Sequence, residues 1–430
     1  MSERPRVVIA VLVGLALVLG ACGQKSGVAG TEVSSGAPAP TASSAGGSEP
    51  AGRTAGPDDT VGITDDEIVI GVHAPVTGAS PLPQTTFDVG KDVYWKFLAE
   101  SQPEALGGRR VRVVFRDDAF NPNRAVQVCR EMVEQEKAFV LVGGGGADQI
   151  TACAKYADEV GVPYFSAGVN EGDLSDLSTY FALSLTYAQQ VPLLLRLIDE
   201  LEAKKVGVVI NDTPSFADAH DVFVEAAKDA GLDVVVDDSV NKVSSEAESL
   251  AQVGKLKQAG AEVVFLLVSP LVYLSVASAA RNQAYEPVFV GPGITSGLNT
   301  VTTFGCPAVG NGQFFSPFPE LDVINELDPD YFPAYEQFAP SQEPDDIGIA
   351  LWGLNKNLAL MFEATGDDLG RAALMNTIEK GDTFETNVYP PVSYEPDQHF
   401  GGTGAHLLAA DCENRQYITK QQFVELGEGN

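Results

Sequence analysis

Positive charge is scarce in this chain. Its 430 residues hold 27 lysines and arginines against 59 aspartates and glutamates, a net charge of −32. A surface that acidic is repelled by phosphate backbones, so nucleic acid is excluded as a main partner, and so is attraction to anionic lipid through the folded surface. Histidine is also rare, with four residues: His73, His220, His399 and His406. No Gly-Lys-Ser/Thr follows the one glycine run, which excludes a phosphate-binding P-loop. There is no Gly-x-Ser-x-Gly nucleophile turn and no Cys-x-x-Cys pair. An enzyme, a cofactor and a metal centre are therefore not expected. Asp117-Asp118 could suggest a metal or acid–base pair, but a role at a strand end is the simpler reading. A turn around Gly401-Gly402 accounts for His399 and His406, and His73 is close enough to a strand end to line a cleft.

Long apolar runs are missing too. Val7 to Ala21 is fifteen residues, about 22 Å as a helix and short of the ~30 Å hydrocarbon core. With Arg4 and Arg6 before it, the run reads as a secretory signal peptide over residues 1–21. It ends in Leu19-Gly20-Ala21-Cys22, which resembles a bacterial lipobox, and that makes Cys22 the expected lipidation site. Residues 22–60 read as a tether: of the 38 residues from 23 to 60, 29 are Gly, Ala, Ser, Thr or Pro and none is aromatic. Such a segment buries too little apolar surface to offset its ordering entropy.

The body is richer. The chain as a whole is 44% apolar, enough for the body to form a core. Short, nearly continuous apolar runs at 68–72, 111–115, 139–142 and 163–165 alternate with helical spacing at 87–100, 123–136 and 148–160. A second series has helices at 188–203, 216–230, 246–259 and 272–283, and strands at 205–210, 232–236, 263–268 and 287–290. Alternation of this kind predicts an α/β class with two doubly wound parallel sheets. Ligands of such sheets bind outside the carboxyl ends of the strands.

Six pieces occur in order: Ile68-Val69-Ile70-Gly71-Val72, Pro75-Val76-Thr77-Gly78, Gly107-Gly108-Arg109-Arg110-Val111, Asp117-Asp118, Pro122-Asn123-Arg124-Ala125-Val126 and Glu159-Val160-Gly161-Val162-Pro163. Together they resemble the type I periplasmic binding proteins, in the branch of leucine/isoleucine/valine receptors. The resemblance covers about residues 66–425. It implies two lobes around a ligand cleft joined by three crossovers, with lobe 1 at 66–186 plus 311–392 and lobe 2 at 187–310 plus 393–430. It also implies a monomeric, lipid-anchored receptor on the extracytoplasmic face of a bacterial cell membrane. Such a receptor closes on a small organic solute and delivers it to an ABC permease. A ligand sensor that presents its closed form to a membrane receptor or kinase would have the same body, and a non-binding envelope scaffold is a third reading.

Four cysteines remain after Cys22, and they allow three pairings or four buried thiols. On the implied lobes, Cys129–Cys153 and Cys306–Cys412 would each stay within one lobe and leave the hinge unconstrained. The expected ligand contacts are strand-end loops. In lobe 1 they are Thr77, Gly78 and Ser80; Gly145, Gly146, Ala147 and Asp148; and Ser166, Ala167, Gly168 and Asn170. In lobe 2 they lie in the loops Asp212 to Phe216, Ser269 to Leu271 and Gly293 to Ser296, at Ser215, Phe216, Ser269 and Gly293. Thr77 and Asp148 could equally be helix caps. Phe87, Phe216 and Tyr273 are candidates to pack on a ligand, and Trp352 reads as packing near the hinge. The chain departs from the amino-acid receptors of that branch at Ala147-Asp148, where a serine or threonine is usual, and at Gly293, where an acid is usual. The ligand class stays open between an amino acid and another small molecule such as an amide or an aromatic acid.

Overall fold

The first strand, β1 (Glu67–Ala74), buries seven of its eight residues, as a strand covered on both faces must. Each buried valine or isoleucine contributes ~1.5–3 kcal/mol. The computed structural model describes residues 53–167, 174–242, 245–292 and 298–427. Around β1 lie β2 (Arg110–Asp117), β3 (Val140–Gly143), β4 (Tyr164–Ser166) and β5 (Tyr180–Ala182). They form an all-parallel sheet in the order β2-β1-β3-β4-β5. The crossovers carry α1 (Gln84–Asp88), α2 (Val93–Ser101), α3 (Pro122–Glu134) and α4 (Ala147–Glu159). Asn121 starts α3 by accepting Arg124 N–H at 3.1 Å, with Pro122 in the first turn.

The helix expected over 87–100 is broken. Gly90 sits in a 3₁₀ turn between α1 and α2, and a Cβ there would be 2.8 Å from the Tyr335 hydroxyl. Close packing of another segment sets that break.

The second sheet contains β6 (Lys205–Asn211), β7 (Asp233–Val240), β8 (Val263–Leu267), β9 (Val288–Pro292) and β10 (Gly312–Ser316). It interleaves them with α5 (Val191–Glu200), α6 (Ala217–Asp229), α7 (Glu246–Ala259), α8 (Pro270–Asn282) and α9 (Leu298–Gly305). Ser245 and Glu248 close a reciprocal capping box on α7, and Gly260 ends that helix at φ 75°. The chain continues through α10 (Leu321–Leu327), α11 (Tyr331–Phe338), α12 (Asp346–Thr365), α13 (Arg371–Ile378), β11 (Thr383–Phe384) and β12 (Val392–Ser393). These pack on the first sheet. It returns as β13 (Gly404–Asp411) and β14 (Gln416–Glu425), which extend the second sheet antiparallel. That sheet runs β14-β13-β10-β9-β8-β6-β7. Each sheet has an apolar cluster on both faces.

Two expected lobe boundaries shift. β10 lies after residue 311 but pairs with β9 in the second sheet, so the chain leaves that sheet only after Ser316. Residues after 393 stay with the first sheet as far as Gly402: Phe400 bridges Ala182, and Ser393 N–H donates to Gly401 at 3.1 Å. The tether also ends earlier than residue 60. Arg53 is tied to Asn376, Glu379 and Ser178, and Asp59 accepts Ala372 N–H at 2.7 Å. Cys129–Cys153 joins α3 to α4, and Cys306–Cys412 joins the end of α9 to the β13–β14 turn. Each disulfide stays within one lobe. Among the described residues, no helix is long and apolar enough to cross a membrane.

Candidate functional site

Both sheets reverse strand order at their first strand. In the first, β1 lies between β2 and β3; in the second, β6 lies between β7 and β8. At such a switch point the crossovers leave to opposite faces and open a crevice at the strand ends. The two crevices meet at one cavity of about 150 Å³.

The loop after β1 is held by Asp117. Its Oδ1 accepts N–H from Ala119 at 2.9 Å, Val76 at 3.0 Å and Thr77 at 3.3 Å, and its Oδ2 accepts the Thr77 hydroxyl. Partial burial works to raise the Asp117 pKa, but these four hydrogen bonds outweigh it and hold the carboxyl below its usual range. Gly78 has φ 95°, and a Cβ there would be 2.1 Å from the Ala119 carbonyl oxygen. Thr77 and Gly78 thus build the loop, and Ser80 is the residue that turns to the cavity. Asp118 accepts His73 Nδ1 at 2.8 Å, while His73 Nε2 meets the Tyr164 hydroxyl at 2.7 Å. The aspartate doublet is structural, and His73 is fully buried away from the cleft. The sulfurs of Cys129 and Cys153 lie within 4.8 Å of His73. They are bonded to each other and both ring nitrogens are engaged, so this trio offers no metal a free donor set.

The four-glycine loop lines the cavity throughout, with Ala147, Asp148, Gln149 and Ile150 behind it. Gly144 N–H donates to the His73 carbonyl at 2.8 Å, which leaves space for a Cβ only 2.9 Å from the Phe87 ring. Gly146 precedes α4 at φ 80°, and a Cβ there would be 2.3 Å from Gln149 Oε1. Among the described residues no side chain caps the first N–H groups of this helix, and its first residues line the cavity after a glycine at positive φ. Gln149 is 2% exposed and makes no hydrogen bond to a described residue, yet it lines the cavity.

From the second lobe come Asn211, Thr213, Phe216, Lys242, Val268, Ser269 and Pro270. Thr213 Oγ1 and Ser215 Oγ donate to Asp148 Oδ1 at 2.6 and 2.7 Å, and Lys242 pairs with its other oxygen. Burial lowers the Lys242 pKa. Asn211 ties three loops together: its Oδ1 accepts Ser269 N–H at 2.8 Å, and its Nδ2 donates to Asn241 O at 3.1 Å and Val240 O at 3.4 Å. Phe216 and Tyr187 form an edge-on aromatic pair at 5.8 Å.

Of the residues singled out in the sequence, Ser80, Gly145, Gly146, Ala147, Asp148, Ala167, Phe216 and Ser269 line the cavity. Ser166 does not: it is buried against the Tyr180 hydroxyl at 2.7 Å. Ser215 reaches the cavity only through Asp148. Gly168, Asn170, Gly293 and Cys22 lie outside the described residues. Phe87 is buried against Phe115, and Tyr273 is buried between Phe289 and Phe314. Trp352 donates Nε1–H to Asp328 at 2.8 Å and packs edge-on against Tyr94 and Tyr331.

Sequence reasoning missed the apolar wall made by Leu82, Phe120, Phe318, Tyr389 and α12 (Ile347, Ala350, Leu351 and Leu354). It also missed Gln149, Asn211 and Lys242, whereas Thr213 belongs to the expected loop Asp212 to Phe216. Asn211 had a signal, since it ends β6 directly before that loop. Lys242 had none beyond following a strand.

A model of the family described as periplasmic binding protein matches residues 67–413. An amino acid binding protein of Pseudomonas aeruginosa is 25% identical over 322 residues, 71% of this chain and 81% of that protein. A Leu/Ile/Val-binding protein homolog of Brucella abortus is 24% identical over 266 residues, 60% of this chain and 69% of that protein. Among solved structures, a fatty acid ABC transporter substrate-binding protein from Thermomonospora curvata superposes with a TM-score of 0.72. It is 17% identical and covers 86% of this chain and 96% of its own.

Proposed function

This chain belongs to the type I periplasmic binding proteins, in the branch of leucine/isoleucine/valine receptors, and on that premise we propose that it captures a small organic solute for an ABC permease. The family's members are solute receptors, not enzymes. The observation that carries the reading is the cavity at the joined switch points. It has apolar walls from both lobes and one polar pole at the start of α4. Leu82, Phe120, Phe216 and the α12 side chains would hold an apolar body. The α4 N–H groups, Gln149, Ser80 and Ser269 would hold its polar end.

The solute is an amino acid or another small acid or amide. A fold that in a relative serves fatty acids accommodates acids with no amino group. Closure brings Thr213, Ser215 and Lys242 onto Asp148, and the closed form is what a permease would read. Cys22 carries the lipid that holds the receptor on the outer side of the cell membrane.

A thermal-shift screen of the full chain against amino acids, amides, and aliphatic and aromatic acids tests the solute. A ligand at 100 times its dissociation constant adds about 2.7 kcal/mol to stability. Silence across the whole library would sink the receptor reading. Metabolic labelling with a radioactive fatty acid, in the chain and in C22A, tests the anchor: label retained by the variant would refute it.

A further inference from the structure

Among the described residues lining the cavity, Asp148 is the one carboxylate and Lys242 the one ammonium, and they are bonded to each other. Among the described residues every donor to Asp148 comes from the opposite lobe: Thr213 at 2.6 Å, Ser215 at 2.7 Å and Lys242. Lys242 is held in place from behind. Its carbonyl accepts Ser269 Oγ at 3.4 Å, and Asn211 fixes the neighbouring Asn241 and Val240 carbonyls.

We infer that Lys242 is a built-in substitute for a ligand's ammonium group, so that the cavity selects apolar carboxylates or amides and rejects α-amino acids. This deepens the proposed function and rests on the cavity being the solute site. An ammonium group entering here meets a carboxylate whose charge is already paired with Lys242 and which already accepts from Thr213 and Ser215. Among the described residues it finds no other counter-charge, so it loses its hydration unpaired or displaces Lys242 from its own partner. Lys242 is 38% exposed and burial lowers its pKa, so displacement costs this partly buried ammonium its charge partner. A carboxylate or amide meets the opposite situation. The Gln149 amide is 2% exposed and unpartnered among described residues beside the free N–H groups of α4.

Calorimetric titration of the full chain with matched pairs tests this: 4-methylpentanoate against L-leucine, and 3-phenylpropanoate against L-phenylalanine. The acids should bind at least ~100-fold more tightly than the amino acids, the scale of an unpaired buried charge. In K242M, Asp148 is released, and the ratio should shift by at least about tenfold toward the amino acid. D148N in that background should abolish the gain. Equal or tighter binding of L-leucine to the unaltered chain overturns the inference and leaves the receptor reading standing. Binding by neither series also overturns it, and the wider thermal-shift screen then decides the receptor reading separately.

Discussion

Asn299 donates its side-chain amide to Glu320 at 2.9 Å, linking the first turn of α9 in the second lobe to the segment that leaves β10 for the first. Its backbone N–H also points at Asp346 at 3.4 Å. This junction between the lobes is therefore built on buried carboxyl groups.

Burial raises the Glu320 pKa well above the usual range, and Asp346 raises it further. Burial, then Asp345, raises Asp346 to about 7. Asp345 caps α12 through Gly348 N–H at 2.7 Å, and Asp322 also faces Glu320. A carboxyl whose folded pKa is raised stabilises the fold fully below its unfolded pKa near 4 and loses that contribution as pH rises through the folded value. D346N should therefore gain on the unaltered chain between pH 5 and pH 8, by about 2 °C per kcal/mol recovered. His406 has its pKa lowered by burial to about 4. It acts in the opposite sense as pH falls below 6.5, but equally in both proteins. A difference in melting temperature that stays flat from pH 5 to 8 would refute the assignment.

The strap at the start of the described chain is part of the fold. Arg53 and Asn376 exchange two hydrogen bonds at 2.7 Å, and the Arg53 guanidinium pairs with Glu379. Asp59 accepts the Ala372 and Arg371 N–H groups that open α13. D59A should cost about 1 kcal/mol, the usual loss of a helix cap. A chain starting at residue 61 should unfold at lower urea than one starting at 53, with an unchanged slope. Equal midpoints would show that the strap contributes nothing.

The disulfides differ in the loops they close. Cys129 and Cys153 are 24 residues apart, and Cys306 and Cys412 are 106 apart. Loop closure assigns them roughly 3.4 and 4.8 kcal/mol. C306A/C412A should therefore lower the melting temperature more than C129A/C153A. Neither bond crosses the cleft, so both variants should keep any ligand-induced shift. Losing that shift in a variant that still melts cooperatively would tie a disulfide to closure.

Much of this architecture was legible because parallel strands covered on both faces leave an unbroken apolar signature. Ile68 to Val72 and Val263 to Val268 needed no partner to be recognised. β5 was not legible, because three residues, Tyr180–Ala182, carry no period. Docking of the β13–β14 hairpin on β10 depends on pairing across about 90 residues of chain. The glycine loop announced a backbone that approaches something closely. The Lys242–Asp148 pair spans 94 residues and both lobes, and no local pattern encodes such a pairing. The strap was hidden by its composition: Arg53 and Asp59 sit among alanines and glycines, and their partners Asn376 and Ala372 are more than three hundred residues away.

Asp117 lines no part of the cavity, yet it sets the loop that does. Its carboxylate gathers Val76, Thr77 and Ala119 and so places Ser80 at the cavity edge. Its folded pKa is depressed, so its contribution is present above the unfolded value near 4 and lost only as pH falls through the lower folded value. Between pH 5 and 8 the loop should hold unchanged. D117A leaves three N–H groups and a hydroxyl to find other partners, at a cost of about 1–3 kcal/mol. The same variant should weaken the binding of whichever solute the thermal-shift screen identifies, although Asp117 does not touch it. D117N keeps one acceptor oxygen and should fall between the two. If D117A loses stability but binds the solute as tightly as the unaltered chain, the loop after β1 is a structural brace and the ligand is held by the α4 pole and the second lobe alone.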